Sequence, residues 1–391
     1  MRPVIICGPM PGPGAGAVGG VAVHTHQLAA HLRHDGRRVR VLDDTRPFEA
    51  EETGDVLGVR GAAPADTLRI ALSHPVRAAG ILVRALAGRH AVPGVIPPST
   101  AFTRSLLIAE TAHSLPDAVL HIQQADYRPL YARWAGAGQP LVIAVHGLWL
   151  LQAPVGRLPV AVAQRNLSHA AAVVTPSHAL AAEVATLGVP AERVRVIPNG
   201  VDHAIFRPRD REACREALGL EVDGALAVYV GRLTTAKGVG DLLEAWSGVS
   251  RGLRDATLAL VGPDEEALAG RLPGVIAPGP VPPETAALWL GAADVVVVPS
   301  HYEGFGLSAL EAMASARSVV ATRVGGLAEV VSDDIGSLVP PHEPDALARA
   351  VLEMLSDPVA AREAGSAAAV AATAYSWEAA ADAYGRLYDD L

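Results

Sequence analysis

Residues 294–311, DVVVVPSHYEGFGLSALE, constrain the fold more than any other stretch. After Asp294, Val295 to Val298 make an unbroken β-branched run closed by Pro299 and Ser300, the composition of a strand covered on both faces of a parallel sheet. The loop His301 to Gly306 carries one acid and two glycines, and Leu307 to Met313 reads as the opening of a helix. Strand, glycine loop and helix in this order aim the backbone N–H groups of Gly304, Phe305 and Gly306 at a space beyond the strand's carboxyl end, a geometry that suits an anion. Glu303 in the loop and Glu311 just over a turn inside the helix need another purpose beside an anion site, unless Glu311 simply favours the helix's first turn, as acids do.

A chain of 391 residues exceeds one ordinary core and fits two domains. Half of it is hydrophobic, so it is globular rather than disordered. The two cysteines, Cys7 and Cys214, fall in an expected strand and an expected helix, which points to a reducing, cytoplasmic setting. Pro3 to Cys7 is too short for a signal sequence, and no later run reaches the ~18 apolar residues of a membrane span. Residues 1–200 carry net +5 and residues 201–391 net −14, so the two halves meet different partners. Of 32 Lys and Arg residues only Lys237 is lysine. Compact ammonium and planar guanidinium are not interchangeable at a phosphate, which marks Lys237 as a candidate ligand for one.

In chain order, Val4 to Cys7 reads as a strand, residues 8–20 as a glycine-rich loop, Val21 to Asp35 as an amphipathic helix and Arg38 to Asp43 as a second strand. This is the start of a doubly wound α/β fold. The loop does not present G-x-G-x-x-G in the dinucleotide context. His74 to Arg89 has helical spacing with Arg77, Arg84 and Arg89 off its apolar positions, as in an ordinary domain helix or one that faces an anionic surface. Ala118 to Ile122 and Leu141 to Val145 read as parallel strands, and His146 directly follows the second, where ligands sit. Ala171 to Pro176 is a further strand, followed by a helix capped by Ser177. The pattern restarts with a strand Ala225 to Val230, the loop GRLTTAKG and a helix Val239 to Trp246, with Arg232 and Lys237 flanking the loop. Thr257 to Val261, Val275 to Pro283 with its turn, the helix Glu284 to Ala292 and the strand Val319 to Thr322 complete the second series. At the end, Ser376 is placed to cap a helix that aligns Trp377, Ala380 or Ala381, Tyr384 and Tyr388.

EGFGLSALEAMA resembles the E-x7-E motif of the retaining nucleotide-sugar glycosyltransferases of family 4, and the rest of the chain extends the resemblance. It implies that Glu303 lies against the donor sugar, that Gly304, Phe305, Gly306 and Leu307 hold diphosphate and sugar hydroxyls, and that Glu311 binds the ribose. GRLTTAKG is similar to the family's G-R-x-x-x-x-K-G, whose cations, here Arg232 and Lys237, clamp the diphosphate. Gly19 and Gly20 match its GG-V-x-x-H opening beside the donor phosphates, and His146 matches the histidine that contacts the sugar. VIAPGPVPP resembles its base-recognition turn, VRVIPNGVDHAIFRP its interdomain segment, and Gly325-Gly326 with Glu329 its G-G-x-x-E loop. One departure stands out: Ala316, Arg317 and Ser318 replace the usual Gly-x-Pro.

The resemblance implies a GT-B architecture, two doubly wound Rossmann-like domains facing across a cleft. Residues 1–205 bind the acceptor, 206–375 bind the nucleotide sugar, and 376–391 form a helix that crosses back. Cleft closure brings His146 to the Glu303 loop. The implied reaction moves a hexosyl unit, with retention, from a nucleoside diphosphate sugar, UDP being the commonest in the family. The catalytic set is His146, Glu303, Arg232 and Lys237. No cofactor or metal is expected, because two cations and helix N-terminal amides suffice and no D-x-D segment or Cys/His cluster is present. The acceptor is a saccharide, a lipid-linked saccharide met at the membrane through the positive N-terminal half, or a small molecule; nucleic acid is not expected. A phosphorylase, a sugar-nucleotide epimerase and a non-catalytic sensor share the fold-level features, since fold does not fix chemistry.

Overall fold

The computed structural model describes residues 1–10, 19–47, 56–60, 68, 71–72, 75–87, 98–124, 129, 132, 135–136, 138–148, 160–269 and 273–391. The chain divides into two compact units. Gly19–Ile197, the opening strand and Ala380–Leu391 make the first, and Pro198–Ala379 makes the second. Val201 and Phe206, just past the division, pack in the second unit's core.

The first unit is built on seven parallel strands, β1 (Val4–Cys7), β2 (Val39–Pro47), β3 (Val56–Arg60), β4 (Val119–Gln123), β5 (Leu141–Ala144), β6 (Ala172–Thr175) and β7 (Val194–Val196), in the order β3-β2-β1-β4-β5-β6-β7. Val4 is opposite Val39 on one side and Val119 on the other. The chain winds outward from β1 to β3 and then returns to β4, so the strand order reverses between β1 and β4. A crevice opens at the carboxyl ends of such a pair. The described helices are α1 (Gly20–His34), α2 (Pro75–Ala87), α3 (Pro98–Ser114), α4 (Val160–Leu167) and α5 (His178–Ala185). Ile5, Ile122, Ile143 and Val173 have no exposed surface, as β-branched strands covered on both faces require. Ser177 caps α5 as its sequence demands, its Oγ accepting from the Leu180 N–H at 3.2 Å.

Four elements of this unit, β3, α3, α4 and β7, are not read from sequence, β3 and α3 because they have too little periodicity. The arginine-bearing helix is α2, and its Arg77 donates to Glu110 of α3 at 3.0 Å. That cation serves helix packing. His74, Arg89 and the Arg84 side chain lie outside the described residues.

The second unit repeats the design with β8 (Leu226–Val230), β9 (Thr257–Val261), β10 (Val275–Gly279), β11 (Val295–Val298), β12 (Ser318–Thr322) and β13 (Gly336–Val339), all parallel, in the order β10-β9-β8-β11-β12-β13. Its helices are α6 (Arg211–Ala217), α7 (Val239–Gly252), α8 (Pro283–Ala292), α9 (Leu307–Ala314), the one-turn α10 (Leu327–Val330), α11 (Pro344–Ser356) and α12 (Pro358–Ala372). The four valines of β11 are at most 3 % exposed. Here the order reverses between β8 and β11. Asp294 pins the start of that pair, accepting from Leu226 N–H and from the buried Arg215, both at 2.8 Å.

Ala316 stands where the resemblance expects glycine, and the backbone keeps the glycine conformation there, φ +57°. Arg317 compensates by donating to the Leu290 and Arg209 carbonyls at 3.2 and 2.9 Å. A non-glycine residue in this region costs ~1–2 kcal/mol. Ala316→Gly should therefore raise unfolding stability by about 1 kcal/mol, after the entropy glycine itself loses on folding. Denaturant titration measures it.

The last helix, α13 (Trp377–Asp390), begins at the expected cap, the Ala379 N–H donating to Ser376 Oγ at 3.1 Å. Trp377, Ala380, Ala381, Tyr384 and Tyr388 are all buried. From Ala380 onward it belongs to the first unit. There Tyr388 Oη lies 2.6 Å from His121 Nδ1, and Arg37 forms a 2.9 Å ion pair with Asp389, holding that carboxyl down at about 2. No helix among the described residues is long and apolar enough to cross a membrane.

Candidate functional site

Each sequence-predicted site residue sits at or near a point of strand-order reversal. In the second unit the loops after β8 and β11 meet backbone to backbone. Gly238, at φ +68°, would carry a Cβ only 1.8 Å from the Pro299 carbonyl oxygen, so glycine alone lets the loops approach. The His301 N–H donates to the Ala236 carbonyl at 3.1 Å. This contact brings Lys237 Nζ to 2.6 Å from Glu303 Oε2. Both side chains are largely shielded, at 27 % and 17 % exposure. Arg232, at the other end of the β8 loop, pairs with Glu265 at 3.2 Å in the open. Its carbonyl accepts from the buried Tyr229 hydroxyl at 2.7 Å, which fixes the loop.

The Gly304–Gly306 turn is shaped from behind by Gly325 and Gly326. The Gly326 N–H donates to the Glu303 carbonyl at 3.1 Å, and a Cβ on Gly325 would fall 1.9 Å from that same oxygen. Phe305 is buried against Tyr375, so only its backbone is available to a ligand. Gly306 is the N-cap of α9 at φ +104°, without a side-chain cap, and Leu307 opens the helix half-buried. One turn on, the half-buried Glu311 carboxyl has no hydrogen-bond partner among the described residues. Burial pushes it up to about 8, so at neutral pH it is mostly protonated.

In the first unit, Gly19 caps α1 with open space around it and no side-chain cap, and Gly20 is exposed. His146 follows β5 and is only partly exposed. Its Nε2 lies 2.5 Å from Gln123 Oε1 at the end of β4, while Gln123 Nε2 lies 3.0 Å from His24 Nδ1 on α1. The amide thus accepts from one histidine and donates to the other. Burial, with neighbouring His146 and His121, holds His24 well below its usual value, so the ring is neutral and one of its nitrogens can accept. Burial likewise drops His121 to about 3. Gly8 at the end of β1 makes room, because a Cβ there would lie 2.6 Å from Gln123 Cγ. Sequence reading missed Gln123; its signal is a polar residue ending a fully buried strand at the reversal point, two positions after the equally buried His121.

The structure therefore groups Arg232, Lys237, Glu303, Gly304, Phe305, Gly306, Leu307 and Glu311 in the second unit, and Gly19, Gly20 and His146 in the first. It also assembles a His/Asp group that sequence spacing conceals. Asp241, His301 and His342 each offer one ligand atom, all within 4.8 Å of one another.

Comparison with known proteins agrees with this geometry. The profile described as Glycosyltransferase Family 4 matches residues 18–205, and that described as Glycosyl transferases group 1 matches residues 224–357. A D-inositol 3-phosphate glycosyltransferase of Acidothermus cellulolyticus is 32% identical over 95% of this chain and 85% of its own length. Another of that description from Catenulispora acidiphila is 30% identical over 98% and 93%. Among solved structures, sucrose-phosphate synthase from Thermosynechococcus elongatus superposes with a TM-score of 0.79 at 24% identity, covering 100% of this chain and 99% of its own. Anabaena HepE, crystallised with UDP and glucose, gives 0.72 at 19%, covering 100% of both chains. Two parallel Rossmann-like units, both profile matches and full-length relatives together place this chain in glycosyltransferase family 4, with the GT-B fold.

Proposed function

We propose that the protein moves a hexosyl unit from a nucleoside diphosphate sugar, UDP being the preferred nucleotide, to an acceptor hydroxyl with the anomeric configuration retained. The observation that carries this reading is the Lys237–Glu303 pair on two loops that only glycine allows to touch, with the partnerless Glu311 carboxyl in the next helix turn. In the free protein the ammonium and the carboxylate neutralise each other. An arriving diphosphate competes for Lys237, joined by Arg232 and the α9 N-terminal amides, and frees Glu303 to accept from sugar hydroxyls. Glu311 takes the ribose diol. The bond from the sugar's anomeric carbon to the phosphate oxygen breaks, and the acceptor oxygen bonds on the same face. That departing oxygen takes the acceptor's proton, while the two cations absorb the developing charge. No divalent metal takes part in this step.

In this reading His146 contacts the donor sugar. Gln123 orients the imidazole by accepting from Nε2, and His24 orients Gln123. Gln123→Ala is expected to lower kcat about 10-fold, the value of one shielded hydrogen bond, with little change in donor KM. Steady-state kinetics with Gln123→Glu, which keeps the acceptor oxygen, should recover part of the loss.

The acceptor named in the relatives, inositol 3-phosphate, makes an anionic polyol the first to try, in keeping with the net +5 of residues 1–200. The test is incubation of the chain with UDP-glucose and inositol 3-phosphate, with NMR of the product's anomeric proton. A small equatorial–axial coupling from an α-linked donor supports retention; a large coupling overturns it. Phosphate-dependent turnover without acceptor would favour a phosphorylase.

A further inference from the structure

We infer that Asp241, His301 and His342 form a binding site for a divalent transition metal of the zinc class, separate from the groups assigned to the donor. Three elements of the second unit converge to make it. Asp241 lies in the first turn of α7, His301 in the loop after β11 and His342 in the turn after β13, all at the carboxyl edge of the sheet. His301 Nε2 is 2.8 Å and His342 Nδ1 3.9 Å from Asp241 Oδ2, and the two imidazole centroids are 3.8 Å apart.

The geometry accommodates a metal in place of the 2.8 Å hydrogen bond that joins His301 to Asp241. Around a tetrahedral ion with ligand bonds of ~2.0–2.2 Å, neighbouring ligand atoms stand ~3.3–3.5 Å apart. The two distances to Asp241 bracket that separation, and the side chain that must move to close the set is the exposed one, His342, at 66% exposure against 17% for His301 and 24% for Asp241. The two imidazole rings are tilted at 43° to one another, and two imidazole nitrogens with one carboxylate oxygen make a donor set for a transition metal. Two nitrogens and one oxygen favour Zn2+, Co2+, Ni2+ or Cu2+ over Mg2+ or Ca2+, which take oxygen. Three protein ligands leave one position open, the pattern of an exchangeable rather than a closed structural site.

The site also has a mechanical link to its surroundings. His301 is tied through its N–H to Ala236, next to Lys237, and lies two residues before Glu303. An ion joining His301 to α7 and to the β13 turn would therefore stiffen the loop that carries Glu303. Nucleotide binding plays no part in the assignment, so the site stands or falls independently of the proposed reaction.

The test is calorimetric titration of Zn2+ into the untagged, chelator-stripped full chain at pH 7.5, with Co2+ absorption as a second readout. The expected result is one equivalent at micromolar affinity and a Co2+ visible spectrum of low coordination number. His301→Ala and His342→Ala should each weaken binding at least 10-fold while circular dichroism stays unchanged, and millimolar Mg2+ should not compete. No binding at 100-fold above micromolar concentration, or equal binding in both variants, would overturn the inference. Displacement by Mg2+ would overturn the metal class.

Discussion

Lys237→Ala should lower the transfer rate by about 10²–10³, ~3–4 kcal/mol of transition-state stabilisation, the scale of losing one preorganised donor at a developing oxyanion. The loss belongs in kcat more than in KM, because the ammonium meets its largest charge as the phosphate departs. Free protein already neutralises Lys237 with Glu303 at 2.6 Å, so removing the lysine leaves a shielded carboxylate facing the incoming diphosphate. That adds repulsion to the lost attraction. Lys237→Arg, which keeps the charge in a wider, planar group, should restore only part of the rate, since guanidinium and ammonium are not interchangeable at a phosphate. Single-turnover rates on both variants measure the effect; an unchanged rate in Lys237→Ala would remove this residue from the reaction.

Glu311 should make nucleotide affinity depend on pH. Its free carboxyl titrates at about 8 against an ordinary 4.5, because of burial. A ribose diol donates to the carboxylate and favours ionisation, so binding releases a proton below pH 8. Affinity should then climb with pH by up to ~10-fold per unit and level off above about 8. Calorimetry in two buffers of different ionisation enthalpy reads the released proton directly. Glu311→Ala should weaken nucleotide binding by about 10²-fold, two charge-assisted hydrogen bonds, and Glu311→Gln should flatten the pH dependence.

The same group carries a stability prediction of opposite sense. Its folded value lies above its unfolded one, so the folded state holds the proton more tightly. Its unfavourable contribution is absent below about pH 4.5 and grows until about pH 8. Glu311→Gln should therefore be ~1–3 kcal/mol more stable than the parent at pH 8.5, after allowance for partial exposure, and no more stable at pH 4.5. Denaturant melts at the two pH values check it. A variant that gains stability while losing ligand is the mark of a group held buried for binding.

The second unit was far more legible in the sequence than the first, for physical reasons. β8, β9, β11 and β12 are short apolar runs covered on both faces and followed by glycine loops, so composition alone marks strand, turn and helix start. The Gly238 and Gly325 contacts show why those loops demand glycine. In the first unit, β3 sits at the sheet edge, and α3 opens with Pro-Ser-Thr and mixes polar residues through its length, so neither presents a clean period. Gln123 was hidden for another reason: it joins His24 to His146 by hydrogen bonds to residues 99 and 23 positions away, and spacing records no such contact. Ala316 shows the converse, where a departure from pattern read in the sequence left the backbone conformation unchanged.

The central claim is that the β8–β11 crevice of the second unit holds a nucleoside diphosphate. Calorimetric titration of the untagged chain with UDP, GDP and ADP, without added metal, on the parent, Lys237→Ala and Glu311→Ala proteins, tests it most directly. One nucleotide, expected to be UDP, should bind at micromolar affinity and weaken at least 10-fold in both variants. Failure of all three to bind the parent protein, or binding unaffected by either substitution, would contradict it.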